Sequence, residues 1–188
     1  MRSQVLAVAI LLAGAGALYP QQAQQLGPNA PNSIQTANLP GVELRFLDFR
    51  WDPALFAAFE TGSGELPAAK RSWAIGRIVL HDRSLMLGKV KLRQGTTQLV
   101  ILHPNLDKRG MSIELRRIDM RDEIFNDRNV VALPPPGETL YKAPARFETI
   151  SETRERMTLT LAESAGNVQL GTHYGNRRLV LDFATVAR

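Results

Sequence analysis

The stretch Ser84–Pro104, SLMLGKVKLRQGTTQLVILHP, constrains this chain more than any other. It holds two apolar arms, Leu85–Leu92 and Thr96–His103, on either side of Arg93-Gln94-Gly95. The first arm places Leu85 and Leu87 on one face and continues through Val90 and Leu92. The second carries the run Leu99-Val100-Ile101-Leu102 and is closed by Pro104. Short, partly β-branched apolar runs bounded by Gly and Pro are what a buried strand needs. A glycine after two polar residues is a common hairpin loop. The stretch therefore predicts a hairpin in the middle of a β-sheet core. It speaks to architecture and not to chemistry.

The flanking segments extend the β reading. Gly41–Arg50 (GVELRFLDFR) is a strand with Leu44 and Phe46 turned inward. Asp52-Pro53 supplies an N-cap and a proline at the first helical position, and Leu55, Phe56 and Phe59 share a face, so Pro53–Glu60 is a short helix. Thr61-Gly62-Ser63-Gly64 stops it. Trp73–Leu80 is a strand, followed by a turn at His81-Asp82-Arg83 and, after the central stretch, another at Asn105–Gly110. Met111, Ile113 and Leu115 alternate with Ser112, Glu114 and Arg116, the pattern of a half-buried strand with one wet face. Asp119–Val131 is charged and irregular. Leu133-Pro134-Pro135-Pro136-Gly137 lacks three successive amide donors and reads as an exposed polyproline II connection. Met157, Leu159 and Leu161, then Val168 and Leu170, then Leu179, Leu181 and Phe183, give the cleanest alternation in the chain. About eight short strands and one helix predict an all-β fold over residues 41–188, an antiparallel β-sandwich or open barrel.

The N-terminus differs in kind. Residues 1–20 open with a single positive charge at Arg2 and run without another through Val5, Leu6, Val8, Ile10, Leu11, Leu12, Leu18 and Tyr19. Two readings stand for this apolar helix. It is a signal peptide cleaved after Ala15-Gly16-Ala17, or an uncleaved membrane anchor with Tyr19 at the interface. About 15 apolar residues at ~1.5 Å each cover ~23 Å of a ~30 Å hydrocarbon core, short for a span. Either way the rest of the chain is expected outside the cytoplasm, anchored at the inner membrane facing the periplasm or soluble in the periplasm. Residues 21–40, rich in Gln, Asn and Pro, read as an extended tether.

Gly88–Pro104 (GKVKLRQGTTQLVILHP) resembles the G-x-x-L-x-x-G-x-Y-x-L…P core of a family of exported bacterial proteins, domain of unknown function 2911. Glu155–Thr160 and Val168–Phe183 look like that family's closing strands, and Trp73 with Trp51-Asp52-Pro53 resembles its earlier aromatic and proline positions. Thr97 stands where the family has tyrosine, and Ala74-Ile75-Gly76 where it has a polar cluster. The resemblance implies export and a β-rich fold, and it carries no catalytic residue.

The chain offers little recognisable chemistry. It has no cysteine, which excludes disulfides and thiolate metal sites. His81, His103 and His173 show no short metal-ligand spacing, and His103 reads as a satisfied strand-end residue. There is no G-x-S-x-G elbow, and Ser63 between its glycines is a helix stop. The net charge of +5 is spread along the chain without a basic block, which argues against nucleic acid. Arg116-Arg117 and Arg177-Arg178 read as solvated, and His173-Tyr174-Gly175-Asn176 as a hairpin turn.

Binding features rank higher. Trp51 and Trp73 are a partner- or sugar-binding platform, or core. Pro134, Pro135 and Pro136 with Tyr141 form a docking loop over Leu133–Ala143, or a plain crossover. The expectation is a non-catalytic interaction module, an accessory or scaffolding subunit of a cell-envelope or inner-membrane protein complex. It needs no cofactor or metal and touches the bilayer through its N-terminus. Two alternatives stand beside it. One is a free periplasmic module binding a small molecule or glycan through a tryptophan. The other is a hydrolase with a spatially assembled site, recognisable by a buried carboxylate or histidine of shifted pKa.

Overall fold

The computed structural model describes residues 33–61, 72–104, 110–118 and 137–186. The apolar N-terminal segment, most of the tether and the Pro134–Pro136 run lie outside them. Ten strands and one helix follow in order: β1 (Ile34–Leu39), β2 (Val42–Leu47), α1 (Pro53–Thr61), β3 (Trp73–Leu80), β4 (Leu85–Leu87), β5 (Val90–Leu92), β6 (Thr96–Pro104), β7 (Met111–Ile118), β8 (Glu138–Ala145), β9 (Glu148–Ser164) and β10 (Asn167–Thr185). They form two antiparallel sheets, one ordered β1-β2-β3-β6-β7-β8 and the other β5-β4-β10-β9. Over the described residues the fold is an all-β sandwich, with no closed barrel.

Register fixes which residues face inward, because directly paired residues share a face. Val42 opposes Leu80, Leu44 opposes Ile78, and Phe46 opposes Gly76, which in turn opposes Val100 and then Leu115. These side chains are buried against Leu85, Leu92, Met157, Leu159, Val168, Leu170 and Phe183 of the smaller sheet. At Gly76 the sheets come close enough that a Cβ would lie 2.8 Å from Leu159 Cδ2. The helix is capped as its sequence dictates, with Asp52 Oδ1 accepting from Leu55 N at 2.9 Å.

The central stretch divides between the two sheets. Leu85–Leu92 folds back on itself as β4 and β5 through the two-residue turn Gly88-Lys89. Gly88 at φ 59° supplies the left-handed corner of that turn. β5 does not pair with β6, and Arg93-Gln94-Gly95 is the crossing from one sheet to the other, with Gly95 N donating to Leu80 O at 2.6 Å. The expected hairpin between the two arms does not form; the hairpin that does form lies within the first arm, turned by Gly88. β6 itself lies between β3 and β7 in the larger sheet, where its apolar run is buried on both faces.

Three further segments depart from the sequence reading. Ile34–Leu39, within the expected tether, pairs along its whole length with β2 as an edge strand. Backbone hydrogen bonds along an edge ask little of side-chain hydrophobicity, so composition conceals the strand. Val168–Leu170 and Leu179–Phe183 belong to one strand, β10, and His173–Asn176 runs through it instead of turning. The true turn is Ala165-Gly166, both at positive φ. β7 has no wet face: Ser112 and Glu114 are as buried as their apolar neighbours.

β9 and β10 part company in the middle of their pairing. Their register runs unbroken to His173 opposite Thr158 and resumes, shifted, at Gly175 opposite Arg154 and Arg177 opposite Thr149. In the gap, β9 pairs instead with the chain leaving β2. Trp51 N donates to Glu155 O at 2.6 Å and Met157 N to Phe49 O at 2.8 Å. Buried Asp48 completes the stitch by pairing with Arg156 at 3.3 Å and accepting from Ser33 Oγ at 3.0 Å. Gly175, at φ 59°, lets this happen because the Trp51 indole lies directly over it, where a Cβ would overlap the ring. Gly175→Ala combines left-handed strain with a clash against a packed aromatic. It is expected to lose about 2–4 kcal/mol in urea unfolding. Gly76→Ala, whose one tight contact is the Leu159 side-chain end and whose φ is unstrained, should lose clearly less.

Candidate functional site

The bulge in β9 leaves a space that aromatic residues fill. Tyr174, from β10, donates its hydroxyl to Arg50 O at 2.7 Å and accepts from Asp52 N at 3.2 Å. Burial pushes the phenol pKa up to about 12, so it remains the neutral donor that this bridge requires. Trp51 meets the Tyr174 ring edge-on at 4.7 Å between centroids and Trp73 meets it at 5.4 Å. Phe56 of α1 packs on Trp51 at 5.4 Å, and Phe49 on Trp73 at 4.8 Å. Arg177 sits 5.7 Å over the Phe56 ring and pairs with Glu60 at 3.1 Å, which ties α1 to β10. This arginine is a strut between elements and not only part of a solvated face.

The two tryptophans named from sequence thus share one cluster. Trp73 is core, at 8% exposure, while Trp51 is half-buried. Both line a cleft of about 450 Å³ with Phe49, Arg50, Asp52 and Tyr174. Arg50 and Asp52 are exposed at its mouth. The aromatic floor is made by residues that also take part in the inter-sheet stitch. Tyr141 lies elsewhere. The segment from Glu138 onward is the edge strand β8 and not a loop, and Tyr141 opposes Leu115 as a half-buried neighbour of the core. It does not join the tryptophans.

A second constellation lies on the outer face of the larger sheet. Glu114 is buried to 2% exposure, and Oε2 accepts from His103 Nε2 at 2.8 Å. Its other oxygen accepts from Arg116 Nε at 2.7 Å and Thr139 Oγ1 at 2.8 Å. His103 Nδ1 meets Ser72 Oγ at 2.8 Å. Burial drives the Glu114 pKa up, but the hydrogen bonds from Arg116 and Thr139, with the charge of Arg116, outweigh it and hold the carboxylate below its ordinary range. His103 is lowered, by burial first and by Lys142 and Arg116, against the opposing pull of Glu114. The imidazole is therefore neutral, with its proton on Nε2 facing the carboxylate and Nδ1 open to the serine hydroxyl.

Sequence reasoning passed over Tyr174, Ser72 and Glu114. Nothing local marks Tyr174 except the glycine beside it, and Ser72 and Glu114 are 42 residues apart in the chain. Among the described residues no group of three His, Asp or Glu side chains is placed to hold a metal ion, and no helix is long and apolar enough to cross a membrane. No family model, curated protein or solved structure matches the chain.

Both shifted groups bear on stability with the same sign. Each binds its proton less readily folded than unfolded, so the unfolded chain gains protons first as pH falls. Stability is expected to decline below pH 6.5, where an unperturbed imidazole charges, and again through the carboxylate range as Glu114 protonates. Thermal midpoints of the His103→Gln chain should lose the first part of this decline and keep the second. Separately, Tyr174→Phe should lose about 1–2 kcal/mol in chemical unfolding, since Arg50 O and Asp52 N both forfeit a buried partner.

Proposed function

We propose that this chain is an exported interaction module, held at a membrane by its apolar N-terminal segment, and that it serves as an accessory subunit of a cell-envelope complex. In this reading it grips its partner at the Trp51 cleft. One observation carries it: a half-buried indole and two exposed opposite charges, Arg50 and Asp52, border a concave site of about 450 Å³. An aromatic floor with a charged rim is the anatomy of a contact hot spot, and a site built from the inter-sheet stitch needs no ordering on binding. Among the described residues, Ile34 is the only large apolar side chain that is exposed. The contact is accordingly small and local, a partner segment seated in the cleft and not two broad apolar faces pressed together.

A second reading has its own support. The partial exposure of Trp51 beside a concavity also suits a free periplasmic module holding a small molecule or a sugar ring against the indole. A photo-crosslinking residue at position 50 in the full chain, expressed in its own cells, separates the two. A discrete crosslinked protein from the membrane fraction, lost when Trp51 is replaced by Ala, is the expected result. Arg50→Glu should weaken co-purification of that protein at least tenfold without moving the thermal midpoint. If no protein crosslinks but Trp51 fluorescence responds to small molecules or glycans, the second reading takes its place.

A further inference from the structure

We propose that Ser72, His103 and Glu114 form a nucleophile, base and carboxylate relay that supports acyl transfer from carboxylic esters. This goes beyond the cleft reading and lies on the opposite face of the sheet. Trp73 lines the cleft, and successive residues of a strand point to opposite sides.

The relay is assembled by register. β6 pairs with both β3 and β7, with Trp73 opposite Leu102 and Glu114 opposite Ile101. Ser72 thereby reaches His103 from one side and Glu114 reaches it diagonally from the other. Both links are 2.8 Å, within the range of strong hydrogen bonds. Each member suits its role. Glu114 is ionised, buried and fixed at its other oxygen by Arg116 and Thr139, so it can only accept, which commits the imidazole proton to Nε2. Nδ1 is then the free base facing the hydroxyl, on an imidazole already held neutral. Ser72 is half-buried and so retains some exposure to a substrate. Lys142, opposite Glu114 on β8 and exposed, adds positive charge on the same face. The two ring nitrogens exchange the roles they have in trypsin-like triads, which the chemistry permits because either nitrogen serves as base when the other holds the proton.

The step follows from these positions. Ser72 Oγ attacks the ester carbonyl carbon as its proton passes to His103 Nδ1, and the resulting imidazolium is stabilised by Glu114. The tetrahedral adduct collapses by breaking the bond to the alkoxy oxygen, which leaves as the alcohol with the proton from Nδ1. Water, deprotonated by the same nitrogen, then releases the carboxylic acid and restores the serine. No oxidant, reductant or metal is required.

The test uses the folded full chain and a fluorophosphonate probe, with the labelled peptide identified by mass spectrometry. The expected result is covalent labelling at Ser72, abolished by Ser72→Ala and slowed at least a hundredfold by His103→Ala, alongside hydrolysis of p-nitrophenyl acetate with the same dependence. Because His103→Ala removes a buried partner and risks unfolding, Ser72→Cys supplies a second measurement. Its thiol should react with iodoacetamide faster than a free cysteine at pH 7, with a pH profile displaced to lower pH. A folded wild-type chain that takes no label at Ser72, a labelling rate that His103→Ala leaves unchanged, or a Ser72→Cys thiol no more reactive than free cysteine would overturn the relay.

Discussion

The structure hangs on one exchange of hydrogen bonds. Where β9 leaves β10, its backbone would expose unpaired groups inside the sandwich. Phe49–Trp51 takes them up, with Trp51 N on Glu155 O and Met157 N on Phe49 O. Buried backbone groups must find partners, so this pairing is the condition for the bulge to exist at all. The Tyr174 hydroxyl holds the other side by spanning Arg50 O and Asp52 N, and Asp48 with Arg156 closes the end. The helix follows from the same place, since Asp52 both meets Tyr174 and caps α1. The cleft is the surface trace of this junction.

The two constellations also show how differently a sandwich can use its faces. The inner face of the larger sheet closes the core with mostly apolar side chains and the buried Gln98, while Leu99 and Ile101 are buried on the outer face beside Glu114. The outer face buries Glu114 among hydrogen-bond donors, because a carboxylate removed from water is tolerated only when its lone pairs are filled. His103, Arg116 and Thr139 fill them, and Ser72 extends the chain by one more link. A sheet face that merely met solvent would not need so complete a set of partners.

Much of the fold was legible in the sequence because it rests on periodicity. Trp73–Leu80 and the capped helix after Asp52 appear where their residues place them, and the alternation from Met157 to Phe183 marks the smaller sheet. Period alone does not say which strand pairs with which, so the central stretch read as one hairpin when Gly88 had already turned the chain. Edge strand β1 stayed hidden because its stability comes from backbone pairing. The sites were less legible still. Trp51 and Trp73 could be named, but their joint packing on Tyr174 is long-range, and Glu114 looked like any charge on an alternating strand. Its burial is a property of three strands meeting, which no single segment records.

The stitch between Phe49–Trp51 and Glu155–Met157 has a consequence for how the chain acquires its structure. Asp52 and Tyr174 are separated by 122 residues, so the junction closes only after the last third of the chain is present. Contacts of such long sequence separation carry a large loop-closure cost, and topologies built on them fold slowly. A chain that emerges from its N-terminus holds the Phe49–Trp51 continuation of β2 without its β9 partner for most of its synthesis. During that interval β1 guards the outer edge of β2 by local pairing, while the Phe49–Trp51 backbone stays open to misplaced strands. The aromatic cluster that joins the two sheets therefore cannot close until β9 and β10 are present.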